Sequence, residues 1–322
     1  MTVRDEAKHL RESVSSVLAQ QYGGEVEVVV AVASSKDATR GVADSLAARD
    51  PRVVVLSNPD PEGSTPAGLN AAIARARHDV LVRVDGHAVL PAGYLEVAVE
   101  VLSATGADNV GGVMTAEGVT WFERVVARAM TTKLGVGSAP FHTGGRAGPA
   151  DTVYLGVFRR EALERVGGYD ERFRRAQDWD LNYRLRAHGG IVWFDPRLRV
   201  AYRPRSSPGR LIAQYFNYGR WRRAIMDRDR TTVSWRYLAP PLAVVGCAFG
   251  LVVGTRWRPA LALPLGYAGI VGVGGWWSGR GLGPTGRAAL PLVYATMHMA
   301  WGVGVLLGPH ESPGTSRRSS SV

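Results

Sequence analysis

The residues with the clearest potential for chemistry lie in the segment Gln177-Asp178-Trp179-Asp180, where two carboxylates stand two residues apart. The segment follows a turn at Gly167-Gly168 and precedes the apolar and basic residues Leu181 to Arg186, so the pattern predicts that a helix begins here. The positive end of a helix dipole favours the charged form of an acid. Asp178 is therefore interpreted as a catalytic carboxylate, with ordinary helix capping as the alternative.

A second pair of polar side chains, Asp85 and His87, follows the predicted strand Val80 to Val84, with Gly86 between them. One oxygen and one nitrogen ligand suit a divalent cation that keeps its other positions for water and phosphate oxygens. The alternative is an Asp-Gly turn that binds nothing. The glycine-rich patterns of dinucleotide-binding folds and of P-loop ATPases are absent at the strand ends, which argues against both of those classes.

The elements that must position these residues alternate between strand and helix. The pattern predicts strands over 26–32, 53–56 and 80–84 and helices over 38–48 and 65–77. Such alternation is typical of a parallel sheet, whose ligand sites lie beyond the carboxyl ends of the strands. Polar clusters stand at three such ends, at 34–37, 58–60 and 85–87.

The last quarter of the chain is almost free of charge. It contains three apolar segments, Leu238 to Gly254, Pro259 to Trp277 and Ala288 to Gly308, each about long enough to cross a hydrocarbon core. A buried helical core domain is the alternative, and the Gly-rich middle segment could be re-entrant. The single cysteine, Cys247, lies inside the first segment, so no disulfide forms within the chain.

The net charge of +11 is concentrated in arginines between Arg197 and Arg236, directly before the first apolar segment. Positive charge beside a membrane span marks the cytoplasmic side and attracts anionic lipid, so we expect a cytosolic globular part and no nucleic-acid partner. The stretch from Ser207 to Met226 carries apolar residues among arginines and is predicted to be an interfacial helix. The polar tail at 310–322 is predicted to be disordered and to lie outside the cell.

Taken together, the motifs resemble those of the inverting family 2 glycosyltransferases, which have the nucleotide-sugar-binding GT-A fold. The soluble part matches in Arg4-Asp5-Glu6-Ala7, Ser34-Ser35-Lys36-Asp37, Val84-Asp85-Gly86-His87 and Gln177-Asp178-Trp179-Asp180. Members of the succinoglycan type are especially similar, in the segments 82–88, 151–160, 181–185 and 214–221. Two departures stand out: Val32 and Ala33 occupy the place of an Asp that contacts the nucleotide base, and the family's first strand is nearly missing before Arg4. We therefore expect base recognition by Asp37, Glu6 or backbone groups, and a true start upstream of Met1.

The resemblance implies a role for each candidate residue. Asp178 is the base that takes the proton of the acceptor hydroxyl, and Asp85 with His87 holds Mg²⁺ or Mn²⁺ at the donor diphosphate. Glu6, Asp37 and Asp85 are the predicted donor-binding residues. Acceptor-binding or supporting roles fall to Asp151, Gln177, Asp180, Gln214, Arg220 and Trp221. The Gly-rich stretch at 144–149 is either a mobile flap over the donor or a plain surface loop.

The chain is thus predicted to be an α/β protein whose GT-A domain, with a Rossmann-like mixed sheet, covers 1–205. A basic amphipathic interfacial segment over 206–236, about three membrane helices over 237–309 and the tail are expected to follow. We expect it to move a sugar, by family habit glucose from UDP-glucose, onto a polyprenyl-linked saccharide or another glycan at the cytoplasmic membrane face, in exopolysaccharide or cell-envelope synthesis. Membrane lipid is the further expected partner. The alternative from another class is a non-catalytic membrane scaffold that binds a nucleotide sugar or anionic lipid.

Overall fold

The computed structural model describes residues 1–173 and 176–309, which form two compact units. The first unit contains residues 1–115 and 139–202; the second contains 116–138 and the chain from 203 onward. A segment from the middle of the predicted GT-A domain thus belongs to the second unit. Arg174, Arg175 and the predicted tail lie outside the described residues.

The first unit begins with a small parallel sheet. Its strands are β1 (Thr2–Val3), β2 (Val28–Val32) and β3 (Val53–Ser57), in the order β1-β2-β3. They alternate with α1 (Leu10–Leu18), α2 (Thr39–Arg49) and α3 (Thr65–Arg75). All five residues of β2 are buried, as expected for a strand covered on both faces.

A second sheet of five strands completes this unit. In chain order the elements that follow are β4 (Val80–Val82), α4 (Tyr94–Thr105), β5 (Asn109–Ala116), α5 (Trp121–Met130), α6 (Lys133–Val136), α7 (Pro140–Thr143), β6 (Gly148–Pro149), β7 (Tyr154–Arg159), α8 (Arg160–Arg165), α9 (Gln177–Ala187) and β8 (Val192–Tyr202). The strand order is β4-β7-β5-β8-β6, with β7 antiparallel to both β4 and β5. The third predicted strand, β4, therefore pairs with a strand from much later in the chain. The unit combines parallel and antiparallel strands, as expected for the predicted GT-A fold with a mixed sheet.

The core of the first unit follows the periodicity of the sequence. Helix α1 buries Leu10, Val14 and Val17, at the i, i+4 and i+7 positions of one face. These side chains pack with the buried valines of β2 and with Val157 of β7 and Val200 of β8. The sheet edges that carry the polar clusters are held in place by this core.

The second unit is helical. Besides α5 and α6 it contains α10 (Pro208–Arg228), α11 (Trp235–Gly254), α12 (Ala262–Ser278) and α13 (Pro284–Leu307), with short 3-10 helices at 230–232 and 258–261. Three helical segments, Trp235–Gly254, Arg258–Ser278 and Pro284–Leu307, are long and apolar enough to cross a membrane. They correspond to the three predicted segments, and the middle one is helical throughout.

Helix α13 packs against most of the other helices in this unit. Glycines allow its close approach to α10, since a Cβ on Gly219 would collide with the carbonyl of Trp301 and a Cβ on Gly304 with that of Phe216. One face of α10 is buried here, so the apolar residues that predicted an interfacial helix also serve helix packing. Ile212 and Tyr218 remain exposed on α10.

Polar contacts attach the short helix α6 to the apolar helices. His298 Nε2 donates to the carbonyl oxygen of Leu134 at 2.7 Å, and Nδ1 of the same ring lies 3.1 Å from the Tyr267 hydroxyl. The hydroxyls of Tyr294 and Thr132 are 2.7 Å apart. The segment 116–138 is thus held against α12 and α13 by hydrogen bonds as well as by apolar packing.

Candidate active site

Polar loops meet beyond the carboxyl ends of β1 and β2. Asp37 accepts a hydrogen bond from the backbone N–H of Ala7 at 3.1 Å, and the Glu6 N–H donates to Thr39 Oγ1 at 2.8 Å. Asp37 also accepts from the Thr39 hydroxyl, which is the largest cause of its lowered pKa. Two of the three predicted donor-binding residues, Glu6 and Asp37, therefore lie together at one edge of the parallel sheet.

The turn after β4 brings the third donor-binding candidate to the same edge. A Cβ on Gly86 would lie 2.6 Å from Cγ1 of Val3, so glycine is needed where this turn crosses β1. The turn places His87 Nδ1 2.7 Å from Glu6 Oε1. Asp85, two residues earlier, accepts from the Arg83 guanidinium at 3.0 Å.

Asp85 and His87 suit a divalent cation that takes most of its ligands from the substrate. Within residues 1–173 and 176–309, no group of three or more His, Cys, Asp or Glu side chains could hold a metal ion by itself. Mg²⁺ and similar cations are commonly held by one or two protein groups plus substrate phosphates. A ligating His usually donates its other ring N–H to a carboxylate, which is the arrangement of His87 with Glu6. The donor set therefore fits a cation shared with a diphosphate.

The predicted helix start at Asp178 is also present. Helix α9 begins at Gln177, after Ala176 in the left-handed conformation with φ 58°. Asp178 lies in the first turn, and its Oδ1 accepts a hydrogen bond from Arg83 Nη1. The Arg83 side chain is only 10% exposed and bonds Asp85 at the same time. One guanidinium thus joins the two carboxylates that the sequence singled out.

The charges in this cluster shift each other's pKa values. Burial raises the pKa of the Asp178 carboxyl, opposed by the charge of Arg83 and reinforced by that of Asp85. The side chain nevertheless keeps 42% of its surface exposed, so an incoming molecule can reach it. Burial works against the charge of Arg83, but Asp178 and Asp85 outweigh it and raise the guanidinium pKa well above its usual value. Asp178 is therefore a more basic carboxylate than a fully solvated Asp, and it lies beside a permanent cation.

Asp180 occupies a different environment from Asp178. Its side chain is 3% exposed and accepts from Arg184 Nε at 2.8 Å. Arg184 also donates to the carbonyls of Val166 and Gly168 at 2.6 and 2.8 Å. This network fixes the turn before α9, which suits the supporting role predicted for Asp180.

The remaining candidates of the first unit lie around α9. Gln177 is its first residue, and Asp151 Oδ1 is 3.6 Å from Nη1 of Arg186 on the same helix. Asn182, to which the sequence assigned no role, donates to Thr152 Oγ1 at 2.8 Å. The predicted flap is anchored at one end, because Gly148–Pro149 pairs with β8.

The three predicted acceptor residues from the basic segment lie on α10 in the second unit. Gln214 donates to the Tyr218 hydroxyl at 2.8 Å, and Arg220 donates to the carbonyl of Gly308 at 2.8 Å. Trp221 lies next to Arg220 and is half-buried. Their contacts within this unit are those of a packed helix, and their acceptor role stays a prediction.

The site residues predicted from the sequence do not include Arg83, although the structure places it at the centre of the cluster. A signal was present: Arg83 and Asp85 are two residues apart at the end of a strand, a spacing that points side chains to the same face. The contact with Asp178, 95 residues away, carries no such local signal.

Comparison with known proteins identifies the family. The profile described as Glycosyl transferase family 2 matches residues 1–167. The chain belongs to this family. A curated relative, the succinoglycan biosynthesis protein ExoA of Rhizobium meliloti (strain 1021), is 34% identical over 303 residues, which cover 93% of this chain and 91% of that protein. The predicted family and enzyme class are confirmed.

Two solved structures resemble this family 2 glycosyltransferase over 95% of its length. The mannosyltransferase PcManGT from Pyrobaculum calidifontis, in complex with GDP-Man and Mn²⁺, is 21% identical with a TM-score of 0.60 over 84% of its chain. Residues 1–349 of S. aureus TarS are 14% identical with a TM-score of 0.52 over 88% of that chain. At these identities the likeness concerns the fold, and it confirms the predicted GT-A architecture.

Proposed function

We propose that this glycosyltransferase transfers a sugar from a nucleoside-diphosphate donor to a hydroxyl of a lipid-linked or other glycan acceptor, with inversion at the anomeric carbon. The observation that carries the proposal is the bridge from Asp85 through Arg83 to Asp178. It joins the turn suited to a donor diphosphate to the carboxylate suited to activate an acceptor.

Asp178 is the proposed general base. Burial raises its pKa and makes it a better proton acceptor than an ordinary Asp, while the positive charge of Arg83 favours its ionised form. With Asp178 as the base and Asp85 assigned to the cation, no described carboxylate is left for the role of a nucleophile, and the proposed reaction is a single displacement. An α-linked donor then gives a β-linked product.

The donor diphosphate is proposed to bind at the turn formed by Asp85, Gly86 and His87. A divalent cation, Mg²⁺ or Mn²⁺, would supply Lewis-acid stabilisation of the leaving diphosphate there. Glu6 orients the His87 ring through the bond to Nδ1, so Nε2 is the ring atom assigned to the cation. Asp37 and Glu6 stand at the sheet edge assigned to the nucleotide.

The similarity to a succinoglycan biosynthesis protein supports a role in exopolysaccharide synthesis, and UDP-glucose is the donor proposed on the same resemblance. The structural relative from Pyrobaculum contains GDP-Man, so a donor assay needs both nucleotides. The three apolar helices support a membrane protein whose acceptor is membrane-bound, such as a polyprenyl-linked saccharide. We propose that the catalytic unit faces the cytosol, because the arginine-rich segment precedes the first span.

Replacing the base tests the proposal directly. In the purified full chain with Mn²⁺, Asp178→Asn should lower sugar transfer to a membrane lipid extract by about 100- to 10,000-fold. Calorimetric titration should show that UDP-glucose still binds with nearly unchanged affinity, because Asp178 is not assigned to the donor. Asp44→Asn, which removes one charge from the exposed pair with Arg40, is the matched control and should transfer normally. Near-normal transfer by Asp178→Asn would exclude Asp178 as the base.

A further inference from the structure

The turn between α12 and α13, together with the neighbouring face of α5, forms a basic and aromatic surface within the second unit. We call it the α12–α13 turn surface and define it by Trp121, Arg128, Trp276, Trp277, Arg280 and Arg287. Its tryptophans are 47%, 55% and 64% exposed in chain order, although large aromatic side chains are usually buried. Nothing in the proposed transfer reaction uses these residues.

The arginines of this surface are held flat against the tryptophan rings. The Arg280 guanidinium carbon lies 4.2 Å from the ring centroid of Trp277, and that of Arg287 lies 3.9 Å from the ring of Trp276. Arg287 Nε also donates to the carbonyl of Trp276 at 2.7 Å. Each cation is thus fixed by a ring, and in one case by a backbone bond, rather than by an acid.

Arg128 of α5 adds a third cation to the same surface. Its Nη2 donates to the carbonyl of Arg280 at 3.0 Å. In the part of the chain that the structure describes, no salt bridge involves Arg128, Arg280 or Arg287. The acid of α5, Glu123, is buried and paired with Arg203. Three fixed positive charges therefore face solvent without a neutralising carboxylate.

A groove of about 390 Å³ opens on this surface between Trp276 and Arg287. Its lining includes the turn glycines Gly279, Gly281 and Gly283, which have no side chains to fill the floor of the groove. Gly281 has φ +91°, a conformation that other residues rarely adopt, so the open floor is specified by the sequence. The groove has room for a phosphate-bearing headgroup beside the Arg287 guanidinium.

The position of the surface indicates which anion it meets. It joins two candidate membrane spans, Arg258–Ser278 and Pro284–Leu307, and therefore lies at the end of both, where lipid headgroups are found. Tryptophan is enriched at that level, and arginine there is attracted to anionic headgroups. We infer that the α12–α13 turn surface binds the phosphate of an anionic phospholipid of the surrounding bilayer. The inference rests on the proposed membrane location and is independent of the transfer chemistry.

Lipid retention tests the inference on the full chain. The protein is purified in detergent with equal amounts of phosphatidylglycerol and phosphatidylcholine, and bound lipid is counted by native mass spectrometry. The wild type should retain phosphatidylglycerol selectively, and the double variant R280Q/R287Q should retain about tenfold less of it. The charge-conserving variant R280K/R287K should recover part of the retention, which separates lost charge from lost folding.

The turn at the other end of α12 provides a matched control. Arg256, Trp257 and Arg258 are exposed there, and R256Q/R258Q removes the same charge from a turn without the ring-stacked geometry. Equal loss of phosphatidylglycerol in both double variants, or unchanged retention in R280Q/R287Q, would overturn the inference. Inorganic phosphate that displaced the lipid at millimolar concentration would instead indicate a site for free phosphate, and would also overturn it. Sugar transfer measured on the same samples reports separately on the proposed function.

Discussion

At the residue scale, Arg83 is the side chain on which both carboxylates of the candidate site depend. It is nearly buried, it donates to Asp85 and to Asp178, and each of those acids stabilises its charge. A buried cation between two acids is held strongly, because removing one partner leaves an uncompensated charge. We therefore assign Arg83 as a positioning residue that favours the ionised form of the Asp178 carboxyl and holds its orientation.

Replacing Arg83 should change the pH profile as well as the rate. Arg83→Gln should lower kcat by about 10- to 100-fold, the value of a hydrogen bond to a charged group. Because the Arg83 charge lowers the pKa of Asp178, its loss raises that pKa, and the acidic limb of the kcat profile should move to higher pH. The measurement is kcat and KM against pH for the wild type, Arg83→Gln and Arg83→Lys.

The lysine variant and a surface control show whether Arg83 positions the base or only stabilises the fold. Arg83→Lys keeps the charge and should restore the acidic limb most of the way. Arg40→Gln, which breaks an exposed pair with Asp44, should leave the profile unchanged. A lower melting temperature with an unmoved acidic limb would show that Arg83 serves folding alone.

The sequence was sufficient to single out Asp85, His87 and Asp178, because each stands at an element boundary next to a recognisable motif. It could not show that Arg83 joins two of them, since the contact with Asp178 spans 95 residues and depends on how β4 and α9 meet. Local patterns report which side chains are polar and where the chain turns. Which polar groups pair across the fold is decided by tertiary packing.

At the element scale, the sequence predicted correctly which of the first elements are strands and which are helices. It predicted less well which strands pair with each other. Strands at β2, β3 and β4 were expected and are present, but β4 pairs antiparallel with β7 in the second sheet. Apolar periodicity predicts that a strand is buried, but it does not predict which strand pairs with it. For the same reason, no pattern in the sequence indicated that α5 and α6 belong with the C-terminal helices.

Helix α7 carries a histidine whose protonation should weaken the first unit. Burial lowers the pKa of His142 to about 4. Below the unfolded pKa of about 6.5, the unfolded chain takes up a proton that the folded chain resists. Above that pH, His142 is neutral in both states and protonation does not reduce the free energy of unfolding. As pH falls from 6.5 toward 4, the free energy of unfolding decreases by up to about 1.4 kcal/mol per pH unit.

Thermal melts between pH 7.5 and 4.5 check this expectation. The wild type should lose stability across that window, and His142→Phe should show a shallower slope because it cannot be protonated. His9→Gln, at an exposed histidine just before α1, is the control and should follow the wild type. Identical slopes for His142→Phe and the wild type would contradict the assignment.

At the scale of the whole molecule, α13 is both a candidate membrane span and the packing partner of α5, α10, α11 and α12. In its apolar stretch 44% of the residues are buried, whereas only 17% are buried in the apolar stretch of each of the other two spans. Much of α13 is thus covered by protein rather than left for lipid. The second unit is organised around this helix.

Removing the C-terminal helices should therefore not release a soluble enzyme. A chain ending at Ser234 retains α5 and α10 but lacks α13, so the apolar faces of both helices lose their cover. We expect this chain to aggregate or to remain with membranes. Size-exclusion chromatography of the detergent-free extract measures the outcome.

Co-expression of residues 235–309 as a separate chain is the control for this truncation. It should restore a dispersed, detergent-soluble complex, because the missing faces are supplied again. A monodisperse, soluble protein from the chain ending at Ser234 alone would show that α5 and α10 do not need α13.

The contact between the segment 116–138 and α13 also affects the order in which the chain can fold during synthesis. Thr132 contacts Tyr294, and 162 residues of chain separate them. At a synthesis rate of about 5–20 residues per second, the segment 116–138 leaves the ribosome roughly 8 to 30 s before α13. Throughout that interval α5 has been made, including its buried Val125, but it has no α13 to pack against. The yield of folded protein should therefore depend on how quickly translation and membrane insertion are completed.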